Sequence, residues 1–291
     1  MKPAPFAYHA PSSLDEALDL LHEHGYDAKA LAGGQSLIPA MNFRLATPAV
    51  LVDLNRVDSL RSVSRDTTTL QLGAMTRHRT LEQSQDVAQM APLVSAAMPF
   101  VAHEAIRTRG TIGGSLAHAD PAAELPAVML ALDASFTLAS RSGSRVVPAS
   151  AFFAGLFTTA MEPGELLVNI TIPARADRSA AAFDEVSRRH GDFALAGAAA
   201  YVVNGADGKC EVARVGLLSL ADKPVLAAEV ARLLEGTRPS KESIREAAEA
   251  SAQVDIDPTS DIHASSRYRR QLAAVLVRRV LERAFLSLEN A

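Results

Sequence analysis

The chain has 291 residues, 48% of them hydrophobic, and its 29 basic and 33 acidic side chains give a formal charge of −4. That is enough apolar material for a sizeable core and two or three globular units. No basic run is present, aromatics are only 5% and Trp is absent, which excludes a nucleic-acid binder; a basic membrane-surface helix is absent too.

The first residues, MKPAPFAYHAPSS, lack the apolar centre of a signal peptide, and no stretch reaches the roughly 20 apolar residues of a membrane span. The expectation is a cytoplasmic protein with no integral membrane segment. Ser13 to Glu16 (SLDE) is a capping-box pattern, followed by Leu14, Ala17, Leu18 and Leu21 at helical spacing, with Gly25 suited to the stop. A short apolar segment, 28–32, leads into Gly33 and Gly34. Residues 48–54 and 69–74 read as strands, so 1–56 is expected to be a small βαβ-type unit with a glycine turn after its second element.

From 57 to about 176 the pattern is mixed. Residues 91–102 and 121–132 read as helices, and 134–139, 144–148 and 166–172 as strands. The polar stretch 173–179 (PARADRS) reads as a linker. Beyond it, 180–188, 195–204 and 210–220 resemble three sheet strands. Asn204 to Gly208 (NGADG) is a hairpin signal between the second and third. Helical patterns follow at 224–235, 240–253 and 266–287. Strands followed by helices predict an α+β domain with helices covering one sheet face.

Cys210 is the only cysteine, so the chain forms no internal disulfide and cannot supply the four thiolates of an iron–sulfur cluster or a Cys-based zinc site. The eight histidines are scattered and no HExxH occurs. No metal is expected on this chain. Redox chemistry here requires an organic cofactor or a metal on a partner.

Two glycine segments stand out: Ala32-Gly33-Gly34-Gln35-Ser36 after an apolar run, and Thr111-Ile112-Gly113-Gly114-Ser115 after a helix-like one. Paired glycines free the backbone for positive φ and close approach of a ligand, and successive N–H groups turned one way make a concave anion site. Ser36, Thr111 and Ser115 add hydroxyls. Each pair also reads as a plain tight turn. Neither is a GxGxxG fingerprint or a GxxxxGK[ST] loop, so spacing alone implies no more than a phosphate-containing ligand. Downstream, Asp120 precedes Pro121 as an N-cap would, or accepts hydrogen bonds from ligand hydroxyls. Glu124 fits a capping box at the same helix start. Phe193, two residues after Gly191, reads either as a core aromatic or as a ring that stacks on a flat cofactor.

The segments AGGQSLIP, IRTRGTIGGSLAHADPAAELP and FDEVSRRHGDFALAG, in that order, together with the run Asp261 to Arg270 (DIHASSRYRR), resemble the FAD-binding medium subunits of molybdenum hydroxylases. The resemblance is to the carbon monoxide dehydrogenase type within the xanthine dehydrogenase family, and it spans about 4 to 286. It implies a two-part FAD domain of the PCMH, or vanillyl-alcohol-oxidase, type over 1–176, split near 56. A flavoprotein C-terminal domain over 177–291 would follow, with a three-stranded antiparallel sheet and helices. It further implies that residues 32–36 with Leu37, and 111–115, wrap the pyrophosphate of FAD. Asp120 would bind the ribityl or nearby hydroxyls with Glu124 supporting that helix start, His118 would also contact the cofactor, the backbone near Leu167 would face the flavin edge, and Phe193 would lie against the isoalloxazine ring. Relatives often carry Lys in the stretch matching 183–189, where this chain has Asp184 and Glu185, and often Asn where it has Ser115.

The implied activity is that of an FAD-containing oxidoreductase subunit. A small subunit with two [2Fe–2S] clusters would feed it, a large subunit would carry the molybdenum cofactor and choose the substrate, and an external acceptor would take the electrons. Such complexes form dimers of heterotrimers. The competing readings are a self-contained FAD oxidoreductase of the same superfamily, for which no proton donor stands out, and a nucleotide-binding module without redox chemistry.

Overall fold

The computed structural model describes residues 1–289. It opens with β1 (Ala7–His9), α1 (Leu14–His24), β2 (Ala28–Leu31), α2 (Leu37–Asn42) and β3 (Val50–Asp53). The three strands are parallel in the order β1-β3-β2, with Val50 opposite both Ala7 and Ala28. Ser13 caps α1 by accepting from the Glu16 amide, while the Glu16 carboxylate accepts from the Ser12 amide at 2.8 Å. The cap is therefore reciprocal, as its sequence suggested, but shifted by one residue on its return arm. Ala17, Leu18 and Leu21 bury the inner stripe of α1 with Val50 and Val52.

Strands β4 (Val63–Arg65) and β5 (Thr69–Gly73) begin a second sheet. Short helices follow: α3 (His78–Gln83), α4 (Gln85–Met90), α5 (Pro92–Ala97), α6 (Glu104–Arg107), α7 (Ile112–His118) and α8 (Glu124–Ala131). The chain then forms β6 (Ser135–Ser140), β7 (Gly143–Pro148), α9 (Ala149–Phe152), the hairpin β8 (Phe153–Gly155) and β9 (Thr158–Thr159), and β10 (Leu166–Pro173). The second sheet has the order β4-β5-β10-β6-β7 and is antiparallel throughout. The helix expected over 91–102 is shorter, because Pro99 removes a helix-interior donor. The chain tightens into a 3-10 turn at Met98–Phe100, and Ala102 then takes a left-handed φ of 46°.

The C-terminal strands are β11 (Ser179–Ser187), β12 (Ala194–Asn204) and β13 (Cys210–Leu218), adjacent and antiparallel as expected, with a fourth, two-residue strand, β14 (Val225–Leu226), added at the edge. Gly208, at φ 77°, turns β12 into β13. Helices α10 (Ala228–Leu234), α11 (Lys241–Val254) and α12 (Ser266–Glu289) cover one face of this sheet. The other face lies on α5 and α8: Phe183, Ala199, Tyr201 and Leu218 share one apolar cluster with Leu93, Val94 and Val128. This explains why α8 is buried all round. A Cβ on Gly216 would overlap the Ala127 carbonyl, so glycine lets the backbones of β13 and α8 meet. Among the described residues no helix is long and apolar enough to cross a membrane.

Candidate cofactor site

The first glycine segment leaves the C-terminal end of β2 and enters α2. Gly34 takes φ 75°, which only glycine adopts without strain. The amides of Gly34, Gln35 and Ser36 meet no acceptor among the described residues, while the Gln35 side chain ties back to the Gly33 carbonyl at 3.1 Å. A left-handed residue followed by free, consecutive N–H groups is the geometry of an anion nest.

The second segment is built differently from the expectation. Residues 112–115 are the first turn of α7, capped by the Thr111 hydroxyl, and neither Gly113 nor Gly114 has positive φ. Their amides are engaged within the protein: Ile112 donates to the Thr76 carbonyl (3.0 Å), Gly113 to Ala74 (2.8 Å), Gly114 to Thr111 Oγ1 (3.1 Å) and Ser115 to the Thr111 carbonyl (3.0 Å). Gly113 is needed because a Cβ would overlap Ala74. The anion nest is thus confined to 34–36.

The two segments meet. A Cβ on Gly33 would overlap the Arg109 carbonyl and lie 2.8 Å from Gly110 Cα; one on Gly114 would lie 3.4 Å from Ala32 Cβ. Residues that the sequence reading did not single out hold this junction. Asn55 donates to the Ala32 carbonyl (3.0 Å), and the Arg77 guanidinium donates to both Asn55 Oδ1 and the Arg109 carbonyl. The buried His78 ring lies under Gly110, burial pushes its pKa down to about 4, and neither ring nitrogen makes a hydrogen bond to the described residues. No local pattern marks the roles of Asn55, Arg77 or His78 here, because the groups they meet at the junction, Ala32, Arg109 and Gly110, are remote in sequence.

Asp120 does not begin a helix at Pro121. Its Oδ1 accepts from the Ala122 amide (2.9 Å), its carbonyl accepts from Ala123, and the Pro121 carbonyl accepts from Ser219 just past β13. With those groups committed to a turn, α8 starts only at Glu124. Asp120 Oδ2 makes no hydrogen bond to the described residues. Glu124 is buried, which pushes its carboxyl up to about 7, with Asp120 adding to the effect. Glu185 on β11 is pushed up to about 8 by burial first, then by Glu124 and Asp184. Across the sheet Glu185 pairs with Gly197, and Gly197 with Leu218, so it reaches α8 over a position without a side chain.

His118 ends α7, and its ring meets that of Phe157 in a tilted contact with centroids 5.1 Å apart. Leu167 is buried and pairs with Leu138, and the β5 pairing of β10 stops at Asn169. Phe193 is 67% exposed, contrary to a core-aromatic reading. No hydrogen bond or ring contact among the described residues joins it to either glycine segment. Leu37 opens α2 directly after the nest. Among the described residues no group of three or more His, Cys, Asp or Glu side chains is arranged to hold a metal, and Cys210 is free and buried.

A glycine nest meeting a capped glycine turn suits a phosphate-containing cofactor. The comparisons give the class. Residues 4–175 match the FAD binding domain in molybdopterin dehydrogenase, and residues 181–284 match the CO dehydrogenase flavoprotein C-terminal domain. The chain belongs to this family of FAD-binding subunits of molybdenum-containing dehydrogenases. It is 44% identical over 284 residues to the 6-hydroxypseudooxynicotine dehydrogenase complex subunit alpha of Paenarthrobacter nicotinovorans (98% of this chain, 96% of that one). It is 39% identical over 290 residues to the carbon monoxide dehydrogenase medium chain of Afipia carboxidovorans, covering all of both. Its fold superposes on a chain of the Hydrogenophaga pseudoflava carbon monoxide dehydrogenase with a TM-score of 0.95 at 37% identity, covering 98% of this chain and 99% of the other.

Proposed function

We propose that this chain is the FAD-bearing electron-transfer subunit of a heterotrimeric molybdenum hydroxylase. The observation that carries the proposal is the junction itself: a nest of free amides at 34–36 preceded by Gly33, whose backbone packs on Arg109 and Gly110 just before the turn at 111–115. Gly34, Gln35 and Ser36 would hold phosphate oxygens, with Ala32, Gly33 and Leu37 shaping the nest. Thr111, Ile112, Gly113, Gly114 and Ser115 would form the opposite wall. Asp120 and His118 would take the hydroxyl-bearing chain, with Glu124 behind them. The main chain at Leu167 and the ring of Phe193 would border the flavin in a PCMH-type domain over 1–176, followed by the C-terminal domain over 177–291. When bound, FAD would supply the redox chemistry that links the [2Fe–2S] clusters of a small partner to an external acceptor. The relatives are named as subunits or chains of dehydrogenase complexes, which supports a small iron–sulfur partner and a large molybdenum-cofactor partner for this chain, assembled as a dimer of heterotrimers. The lone cysteine agrees, because the clusters must then be carried elsewhere.

The test is purification of the native complex with metal analysis and a visible spectrum. Molybdenum, iron and flavin absorption near ~450 nm in one assembly are expected. Substrate oxidation by the flavin-loaded chain with no partner would instead establish the self-contained enzyme.

A further inference from the structure

The run Asp261 to Arg270 (DIHASSRYRR) leads into α12, away from both glycine segments, and no role in the proposed site has been given to it. Its Arg269 is 7% exposed. The guanidinium donates to the Leu195 carbonyl (2.5 Å), the Ser219 carbonyl (3.2 Å) and Asp261 Oδ2 (2.7 Å). Asp261 is itself fixed, because its Oδ1 accepts from the His263 and Ala264 amides, each at 2.8 Å.

The two carbonyls that Arg269 reads lie beside the proposed flavin site. Leu195 is two residues after Phe193. Ser219, in a left-handed conformation with φ 60°, sends its hydroxyl to the Ala194 carbonyl (2.6 Å) and its amide to the Pro121 carbonyl (2.8 Å), next to Asp120. One planar fork therefore ties the segment that presents Phe193 to the turn that presents Asp120. A guanidinium suits this because it stays charged when buried and holds several acceptors in fixed directions. Burying it is expensive, and an apolar side chain would fill the same volume at lower cost if packing alone were required.

We propose that Arg269, held by Asp261 and acting through Ser219, is a positioning residue for the cofactor site. It sets the spacing between the ring of Phe193 and the carboxylate of Asp120. The proposal rests on the assignment of these two residues to the flavin.

The test uses the full chain loaded with FAD, in Arg269→Gln, Arg269→Lys, Ser219→Ala, Phe193→Ala and the double variant Phe193→Ala/Arg269→Gln. FAD affinity by fluorescence quenching, the visible circular dichroism of the bound flavin, and the unfolding midpoint of the FAD-free chain are measured. Arg269→Gln is expected to weaken FAD binding at least about tenfold. It should shift the flavin dichroism as Phe193→Ala does, with no further dichroic change in the double variant and partial recovery in Arg269→Lys. Ser219→Ala, which removes only the link to Ala194 and leaves the buried charge in place, should shift the dichroism in the same direction. Sensitivity to Phe193→Ala with none to Arg269→Gln or Ser219→Ala, whatever happens to the unfolding midpoint, overturns the positioning role alone. A flavin indifferent to Phe193→Ala overturns the site assignment on which the role rests.

Discussion

Gly33 and Arg109 are in backbone contact: a methyl group on Gly33 would overlap the Arg109 carbonyl oxygen. The two halves of the proposed pyrophosphate cradle are therefore spaced by a hydrogen atom, with no side chain between them to adjust.

Gly33→Ala follows directly. The added carbon forces β2's exit loop away from residues 109–110, an overpacking cost of about 1–3 kcal/mol. The purified variant should lose its FAD while remaining folded by circular dichroism. Stoichiometric FAD in Gly33→Ala would show that the junction does not shape the binding site.

Phe193→Ala separates packing from cofactor contact. The ring is mostly exposed, so the unfolding midpoint of the FAD-free chain should move by an amount equivalent to no more than about 0.5 kcal/mol. Flavin absorbance and redox potential should change. The reverse outcome, a large stability loss with an unaltered flavin, would return Phe193 to the core.

Some of this was legible in the sequence. The Ser13 cap, the Asn204 to Gly208 turn and the three long C-terminal strands depend on neighbours within a few residues, and they formed where those neighbours are. Asp120 misled because the Asp-Pro pair is compatible with a helix start, and only the Ser219 amide, nearly a hundred residues on, recruits the Pro121 carbonyl into a turn. The Gly113–Gly114 pair suggested a free loop, whereas Ala74 and Thr76 accept two amides of that segment and make it a helix terminus. The partners of Arg77, Glu185 and Arg269 lie on other elements, and strand or helix periodicity assigns a face without saying what faces it.

Glu82→Gln tests a second support. Arg107 is buried and binds the Val101 and Ala102 carbonyls (3.0 and 3.2 Å) as well as the Glu82 carboxylate (3.1 Å), at the helix immediately before the second glycine segment. Removing the carboxylate charge leaves a buried cation without its counter-ion, at a cost of about 3–5 kcal/mol. Urea unfolding of the two proteins measures this directly, and a difference below about 1 kcal/mol would mean that the carbonyls alone satisfy Arg107.

The carboxyl pair Glu124 and Glu185 gives a pH signature. Both folded values, about 7 and about 8, lie above the ordinary 4.5. The folded chain thus holds more protons than the unfolded chain between those limits, and stability falls as pH rises. Their stabilising contribution is complete below about pH 4.5 and is lost as pH climbs through about 8. Thermal unfolding of the FAD-free chain from pH 5 to 9 should show this decline, and Glu185→Gln should flatten it. An equally steep slope in the variant would place the titration elsewhere.

Every residue of β12 except Asn204 is buried, because the strand is roofed by α11 and α12 on one face and by α5 and α8 on the other. A chain cut near the 173–179 stretch would leave α5 and α8 facing water on one side and an apolar sheet face on the other. Heating the intact chain should accordingly give a single cooperative transition, with neither piece outlasting the other.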